Sequence, residues 1–166
     1  MIGNDVVDLV LAKTESNWRR KGYLDKLYTT WEQTIIKKSV HPDEMVWVLW
    51  SIKESVYKAY QRIEYNEGFY PIKIEVQSLE NDGDGYNSTT ALFGILFYGQ
   101  TTIKDGIVHT VVVQYKSDLE KIKRLPVTNY KKNKKGLPIH VHTGAPVSVS
   151  HHGRSTIVVG LDYNNL

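Results

Sequence analysis

The stretch Trp50-Ser51-Ile52-Lys53-Glu54-Ser55-Val56-Tyr57-Lys58 lies within a run from Pro42 to about Arg62 in which Met45, Leu49, Ile52, Val56, Ala59 and Ile63 recur at alternating steps of four and three. That spacing makes one continuous apolar stripe on an α-helix opened by a proline, and the stripe is core. At about 100° per residue, Glu54 falls opposite the stripe, flanked by Trp47, Trp50, Tyr57, Lys58 and Gln61. A solvent face rarely carries so many aromatics. The helix is therefore expected to be covered on a second side by another segment, a partner subunit or a ligand, with Glu54 and Lys58 in a partly shielded cleft.

Upstream, Thr29-Thr30-Trp31-Glu32 fits a capping box and predicts a short helix to about Lys38. Ile2 to Leu11 reads as a strand whose apolar residues Ile2, Val6, Val7, Leu9, Val10 and Leu11 are interrupted by the carboxylates Asp5 and Asp8. Downstream, Tyr70 to Leu79 alternates with period two, and Thr90 to Tyr98 and Ile107 to Tyr115 are rich in β-branched and aromatic residues. Asn81-Asp82-Gly83-Asp84-Gly85 and Asp105-Gly106 carry hairpin chemistry, so these three strands should form an antiparallel meander. Residues 118–138 read as a short helix and an exposed loop, and Pro146 to Ser150 and Thr156 to Asp162 as two last strands. The expected fold class is α+β, with one long central helix packed on an antiparallel sheet and residues 1–166 forming a single domain.

Composition narrows the chemistry. A hydrophobic content of 41% and a charged content of 23% are ordinary for a globular protein, no apolar run is long enough to span a bilayer, and the acidic N-terminus is unlike a secretory signal. The expected partners therefore include no membrane, and the expected compartment is the cytoplasm. With no cysteine, disulfides, thiolate nucleophiles and thiolate zinc sites are excluded, leaving carboxylate and imidazole as ligating or catalytic groups. The net charge of +3 is mild, although Lys131-Lys132-Asn133-Lys134-Lys135 is a dense local run.

Asp5, Asp8 and Glu54 are the acidic residues whose contexts least resemble open surface, and hard oxygen ligands of this kind suit magnesium. Each has a plainer reading: Asp5 and Asp8 as strand-end carboxylates bonded to backbone, Glu54 as an intrahelical partner of Lys58. Ser148-Val149-Ser150-His151-His152-Gly153-Arg154 ends a strand in groups able to donate to phosphate oxygens, with a glycine that permits close backbone approach. A zinc site from His140, His142, His151 and His152 is the rival reading, with nothing else to complete it. A serine–histidine nucleophilic pair is disfavoured because adjacent strand residues point to opposite faces. Asp82-Gly83-Asp84-Gly85 lacks the glutamate a calcium loop needs and is read as a turn. Arg19-Arg20-Lys21 and the lysine run are most simply solvated surface. No aromatic interleaving supports nucleic acid as a partner.

Gly3-Asn4-Asp5, Trp50 to Lys58 and Ser148 to His151, in that order, resemble the three signatures of the 4′-phosphopantetheinyl transferase superfamily: Gly-x-Asp, aromatic-Ser/Ala-x-Lys-Glu-Ser/Ala-x-x-Lys, and Ser-x-Ser-His. Placing the Ser-His segment last is similar to the short holo-(acyl carrier protein) synthase type. The resemblance implies a 4′-phosphopantetheinyl transferase-like fold and transfer of 4′-phosphopantetheine from coenzyme A to a serine of an acidic apo carrier protein, with release of 3′,5′-ADP. It also implies Asp5 and Glu54 as Mg²⁺ ligands, Glu54 and Lys58 as catalytic groups, and Lys53, Lys58, Ser150 and His151 as coenzyme A contacts, with Lys53 equally suited to a structural ion pair. Val7 stands where the longer type has a second acidic ligand, and Leu49 where short synthases carry an arginine. In the short type the Ser-His segment of one subunit meets the carboxylates of a neighbour. A homo-oligomer, with a trimer as precedent, is therefore expected, and Arg19-Arg20-Lys21 are expected to steer the acidic carrier. The alternatives are a catalytically silent paralogue that binds coenzyme A or a carrier, and a basic nucleic-acid-binding module, for which only the lysine run speaks.

Overall fold

The computed structural model describes residues 1–65 and 68–162. Strand β1 (Ile2–Asp8) is followed by α1 (Leu9–Glu15), α2 (Tyr23–Leu27), α3 (Thr30–Lys38) and the long α4 (Pro42–Tyr60). Then come β2 (Glu75–Asn81), β3 (Gly85–Leu92), β4 (Ile95–Lys104) and β5 (Ile107–Val113). The remainder forms β6 (Ile122–Leu125), β7 (Tyr130–Lys132), β8 (Pro138–His140), β9 (Val147–His152) and β10 (Ser155–Leu161). The main sheet is antiparallel in the order β1-β5-β4-β3-β2, a smaller sheet runs β6-β10-β9, and β7 pairs with β8 as a separate hairpin. This is the expected α+β class, with α4 across one face of the main sheet. Among the described residues no helix is long and apolar enough to cross a membrane.

Strand β1 is buried along its whole length because both of its faces are covered. Gly3 and Val7 face α4, whereas Ile2 and Val6 pack with Val111, Val113, Ile157 and Val159 between the two sheets. Alternation puts Asp5 on the α4 face with Gly3 and Val7. The stripe of α4 behaves as expected from Met45 to Ala59, and the helix ends before Ile63, which is 38% exposed. Its aromatic back face is covered by a segment of the same chain: Phe69 meets Trp50 edge-on at 5.6 Å between ring centroids and Tyr57 at 4.9 Å. The capping box forms, with Thr29 Oγ1 accepting from the Glu32 amide and the Glu32 carboxylate accepting from the Thr29 amide.

Several boundaries differ from expectation. The first strand stops at Asp8, because the Asp8 carboxylate accepts from the Val10 amide and caps α1. The stretch 90–98 is not one strand but the turn of a β3–β4 hairpin at Phe93-Gly94, with φ of 49° and 81°. A phenylalanine in the left-handed region is not the usual signal for such a turn, whereas Asp105-Gly106, at 52° and 73°, is. The expected short helix is a 3₁₀ helix at Lys116–Lys121, and the loop expected after it contains β6 and β7. Both are short strands whose mostly exposed residues show no clear alternation.

Candidate active site

Close approach of two backbones builds the site. A Cβ at Gly3 would lie 2.0 Å from the Ser55 carbonyl oxygen and 2.6 Å from the Ala59 nitrogen, so only glycine lets β1 press this closely on α4. Small residues on the helix face the same contact. Ser51 Oγ donates to the Asp5 carbonyl at 3.2 Å, and Ser55 Oγ lies 2.7 Å and 3.2 Å from the carbonyls of Ser51 and Thr110. The result brings Asp5 beside Lys58, whose ammonium donates to the Asp5 carboxylate at 3.1 Å and to the Asn4 carbonyl at 2.9 Å.

Glu54, one helical turn before Lys58, completes the cluster. Burial first, and then the Asp5 charge, raise its pKa from 4.5 to about 7, with Lys58 only partly opposing. Among the described residues no side chain hydrogen-bonds its carboxylate. Two carboxylates in one shielded place, with Lys58 acting on both, form a site a divalent cation would suit, and magnesium takes only one or two protein carboxylates. Among the described residues no set of three His, Cys, Asp or Glu is gathered as metal ligands, so the histidine reading for zinc has no ligand cluster. The rings of His140 and His142 do meet edge-on, with centroids 5.7 Å apart. His151 instead pairs with Thr156, and His152 with the Asp8 amide.

The last segment arrives from the same chain. Amides of Asn4, Val6 and Asp8, on the edge of β1 that pairs with no strand among the described residues, donate to Ser148 Oγ (2.8 Å), Ser150 Oγ (3.0 Å) and His152 Nδ1 (2.9 Å) of β9. Three alternate side chains thus serve where a neighbouring strand's carbonyls would. Ser150 Oγ also donates to the Asp5 carboxylate at 2.9 Å. The resemblance implies that this segment meets the carboxylates of a neighbouring subunit; within the chain Ser150 already reaches Asp5, because β9 lies along the open edge of β1. Ser150 is buried and holds Asp5, whereas His151 is exposed and stands at the rim of the adjoining cleft.

Lys53 does not join the cluster. It is fully buried and paired with the equally buried Glu32 at 2.8 Å, and it donates to the carbonyls of Pro71 and Ile74. Burial lowers its pKa, and Glu32 opposes that. The coenzyme-contact expectation for Lys53 therefore gives way to the structural ion pair. Asp8 is likewise structural: besides capping α1 it pairs with Arg154 at 3.0 Å. Arg19 is exposed, paired with Asp43 at 2.6 Å and stacked on Trp18, and Arg20 lies over Tyr23.

A cleft of about 590 Å³ opens beside Lys58, between the end of α4, the β7–β8 hairpin and β9. Arg62, Tyr130, Lys132 and Lys135, none of them singled out as site residues from the sequence, line it. Arg62 donates to the carbonyls of Pro138 and Val147, at 2.5 Å and 2.6 Å, and so ties the hairpin and β9 to the helix. His109, on β5, is held neutral at ordinary pH, its pKa lowered to about 4 by burial and then by Arg124 and Lys58. Its Nε2 lies 3.3 Å from the side-chain nitrogen Nδ2 of Asn4. The Ser148-x-Ser150-x-His152 alternation was a readable sign that these three share one face. Nothing local marked Arg62 or the hairpin lysines as neighbours of Lys58.

Among solved structures, the crystal structure of Helicobacter pylori holo-[acyl-carrier-protein] synthase in complex with coenzyme A is similar in fold. It shares 15% sequence identity and a TM-score of 0.51, covering 69% of this chain and 100% of that one. No curated protein sequence matches. The family model of the 4′-phosphopantetheinyl transferase superfamily matches residues 1–103, which include β1, Glu54 and Lys58. A match over more than half the chain, on the strand and helix that carry the acidic cluster, decides the family: the chain belongs to the 4′-phosphopantetheinyl transferase superfamily.

Proposed function

We propose that this protein is a holo-(acyl carrier protein) synthase, transferring 4′-phosphopantetheine from coenzyme A to a serine of an acidic apo carrier protein. The observation that carries the reading is Glu54, with a pKa of about 7, in one shielded cluster with Asp5 and Lys58. A carboxylate so poised accepts a proton near neutral pH. The carrier serine oxygen attacks the β-phosphorus of coenzyme A, Glu54 takes the serine proton, and the bond from that phosphorus to the bridging oxygen breaks. The bridging oxygen leaves with its electron pair as part of 3′,5′-ADP. Lys58 offers its ammonium to the diphosphate, and Ser150 and Lys58 hold Asp5 in place. Asp5 and Glu54 are the residues that would hold Mg²⁺, which when bound supplies charge neutralisation at the diphosphate. Arg20 and Lys21 are the basic surface proposed to steer the acidic carrier.

The test is incubation of the protein with coenzyme A, magnesium and candidate apo carriers, followed by mass spectrometry. The expected result is a carrier heavier by one phosphopantetheine, and its loss in Glu54→Gln. Coenzyme A binding with no carrier ever modified would favour the catalytically silent paralogue.

A further inference from the structure

Asn4 stands at the open position of the Gly-x-Asp signature, on the face of β1 opposite Asp5, and is fully buried. Its backbone carbonyl accepts from Lys58, but its side chain turns the other way, toward the second sheet. There Nδ2 donates to the Ile157 carbonyl of β10 at 3.3 Å and lies 3.3 Å from His109 Nε2 of β5. An amide nitrogen only donates. The Ile157 carbonyl therefore fixes which way the amide points, and His109 Nε2 has to accept, which puts the imidazole proton on Nδ1. The amide oxygen is left buried without a donor among the described residues, so this group is kept at a cost in folding free energy.

What the amide grips is the rung that carries Ser150. Ile157 is the cross-strand partner of Ser150 in the β9–β10 pair. Ser150 Oγ returns to β1, meeting the Val6 amide at 3.0 Å and Oδ1 of Asp5 at 2.9 Å. Asn4, Ile157, Ser150 and Asp5 thus close a ring around β1, and His109, paired with Val6 in the β1–β5 ladder, braces it from the next strand. Oδ1 of Asp5 is held by both Ser150 and Lys58, while Oδ2 accepts no hydrogen bond among the described residues.

We infer that Asn4, its amide oriented by Ile157 and His109, is a positioning residue for Asp5. It sets the β9–β10 rung against β1, so that Ser150 and Lys58 keep one carboxylate oxygen and the other is left for a divalent cation. The inference rests on the transfer reading above. Groups that orient a metal ligand from behind change metal affinity or activity about ten- to hundredfold when they are lost, without touching metal or substrate.

The test sets Mn²⁺ binding to the full chain in the presence of coenzyme A, followed by electron paramagnetic resonance, beside transfer kinetics, thermal melting and the ¹⁵N spectrum of the imidazoles. In the natural protein His109 should carry its proton on Nδ1. Asn4→Leu is close in shape and removes the orphan oxygen, so it should melt close to the natural protein. Its Mn²⁺ dissociation constant should nevertheless rise about ten- to hundredfold, with transfer lost at low Mg²⁺ and restored by saturating Mg²⁺, and with KM for the carrier unmoved. His109→Gln, whose Oε1 accepts where Nε2 did, should keep the natural metal affinity. Unchanged Mn²⁺ affinity in Asn4→Leu overturns the inference while leaving transfer standing, as does a His109 proton found on Nε2. Metal affinity that falls only together with the melting temperature, in both variants alike, makes the pair a packing element and overturns it too. If the natural protein binds no Mn²⁺ beside coenzyme A and modifies no carrier, the transfer reading fails first and this inference falls with it.

Discussion

Glu54 carries a folded-state conflict that can be measured. Below about pH 4.5 folded and unfolded chains both hold its proton, above about 7 neither does, and between these values only the folded chain holds it. Its contribution to stability therefore falls as pH rises through that window, by up to about 3 kcal/mol. In metal-free buffer, Glu54→Gln should gain thermal stability over the natural protein as pH is raised from about 5 to about 8, while transfer is lost. An advantage equal at both pH values would show that the carboxylate is not strained. Lys53 makes the opposite case. Lys53→Met leaves the buried Glu32 charge with backbone donors alone and should cost about 3–5 kcal/mol in denaturant unfolding, with KM for coenzyme A unmoved in the folded protein. A raised KM with unchanged stability would return Lys53 to the coenzyme. Both residues sit in one helical motif, and sequence could not separate them: which side of α4 was lined by the Glu32 segment depended on packing.

At the scale of elements, the contact between β1 and α4 decides whether the cluster exists. Gly3→Ala would drive a methyl group against the Ser55 carbonyl and the Ala59 nitrogen, both backbone atoms that cannot swing aside. A loss of about 3 kcal/mol or more in denaturant unfolding is expected, and a loss below about 1 kcal/mol would mean that strand and helix are not so closely packed. The helix was legible from its stripe, and the capping box from four residues, because both are local rules with strong periodic signals. The Phe93-Gly94 turn was not, since a phenylalanine with positive φ obeys no local preference and is held by the pairing of β3 with β4. The end of β1 was missed for a related reason. Asp8 was weighed as a ligand and a strand-end group, yet its oxygen caps the helix that follows.

For the molecule as a whole, the position of β9 has a consequence for assembly. Because Ser148, Ser150 and His152 satisfy the free edge of β1 within one chain, Asp5, Glu54, Lys58 and Ser150 are assembled without a neighbour. Specific activity per chain should therefore hold on dilution through the concentration at which any oligomer dissociates, as followed by light scattering. Activity that disappears in step with dissociation would show that a second copy supplies part of the site. By itself the sequence determined the α+β class, the central helix, and three separated motifs whose residue types suit phosphate and magnesium chemistry, because periodicity, capping and side-chain chemistry act over a few residues. Only the tertiary structure decided that Lys53 is a core ion pair, that Ser150 holds Asp5 of its own chain, and that the hairpin lysines face the cleft beside Lys58. Each of these depends on contacts between segments far apart in the chain, where burial and the demand that every buried donor find an acceptor choose among partners that local sequence leaves equivalent.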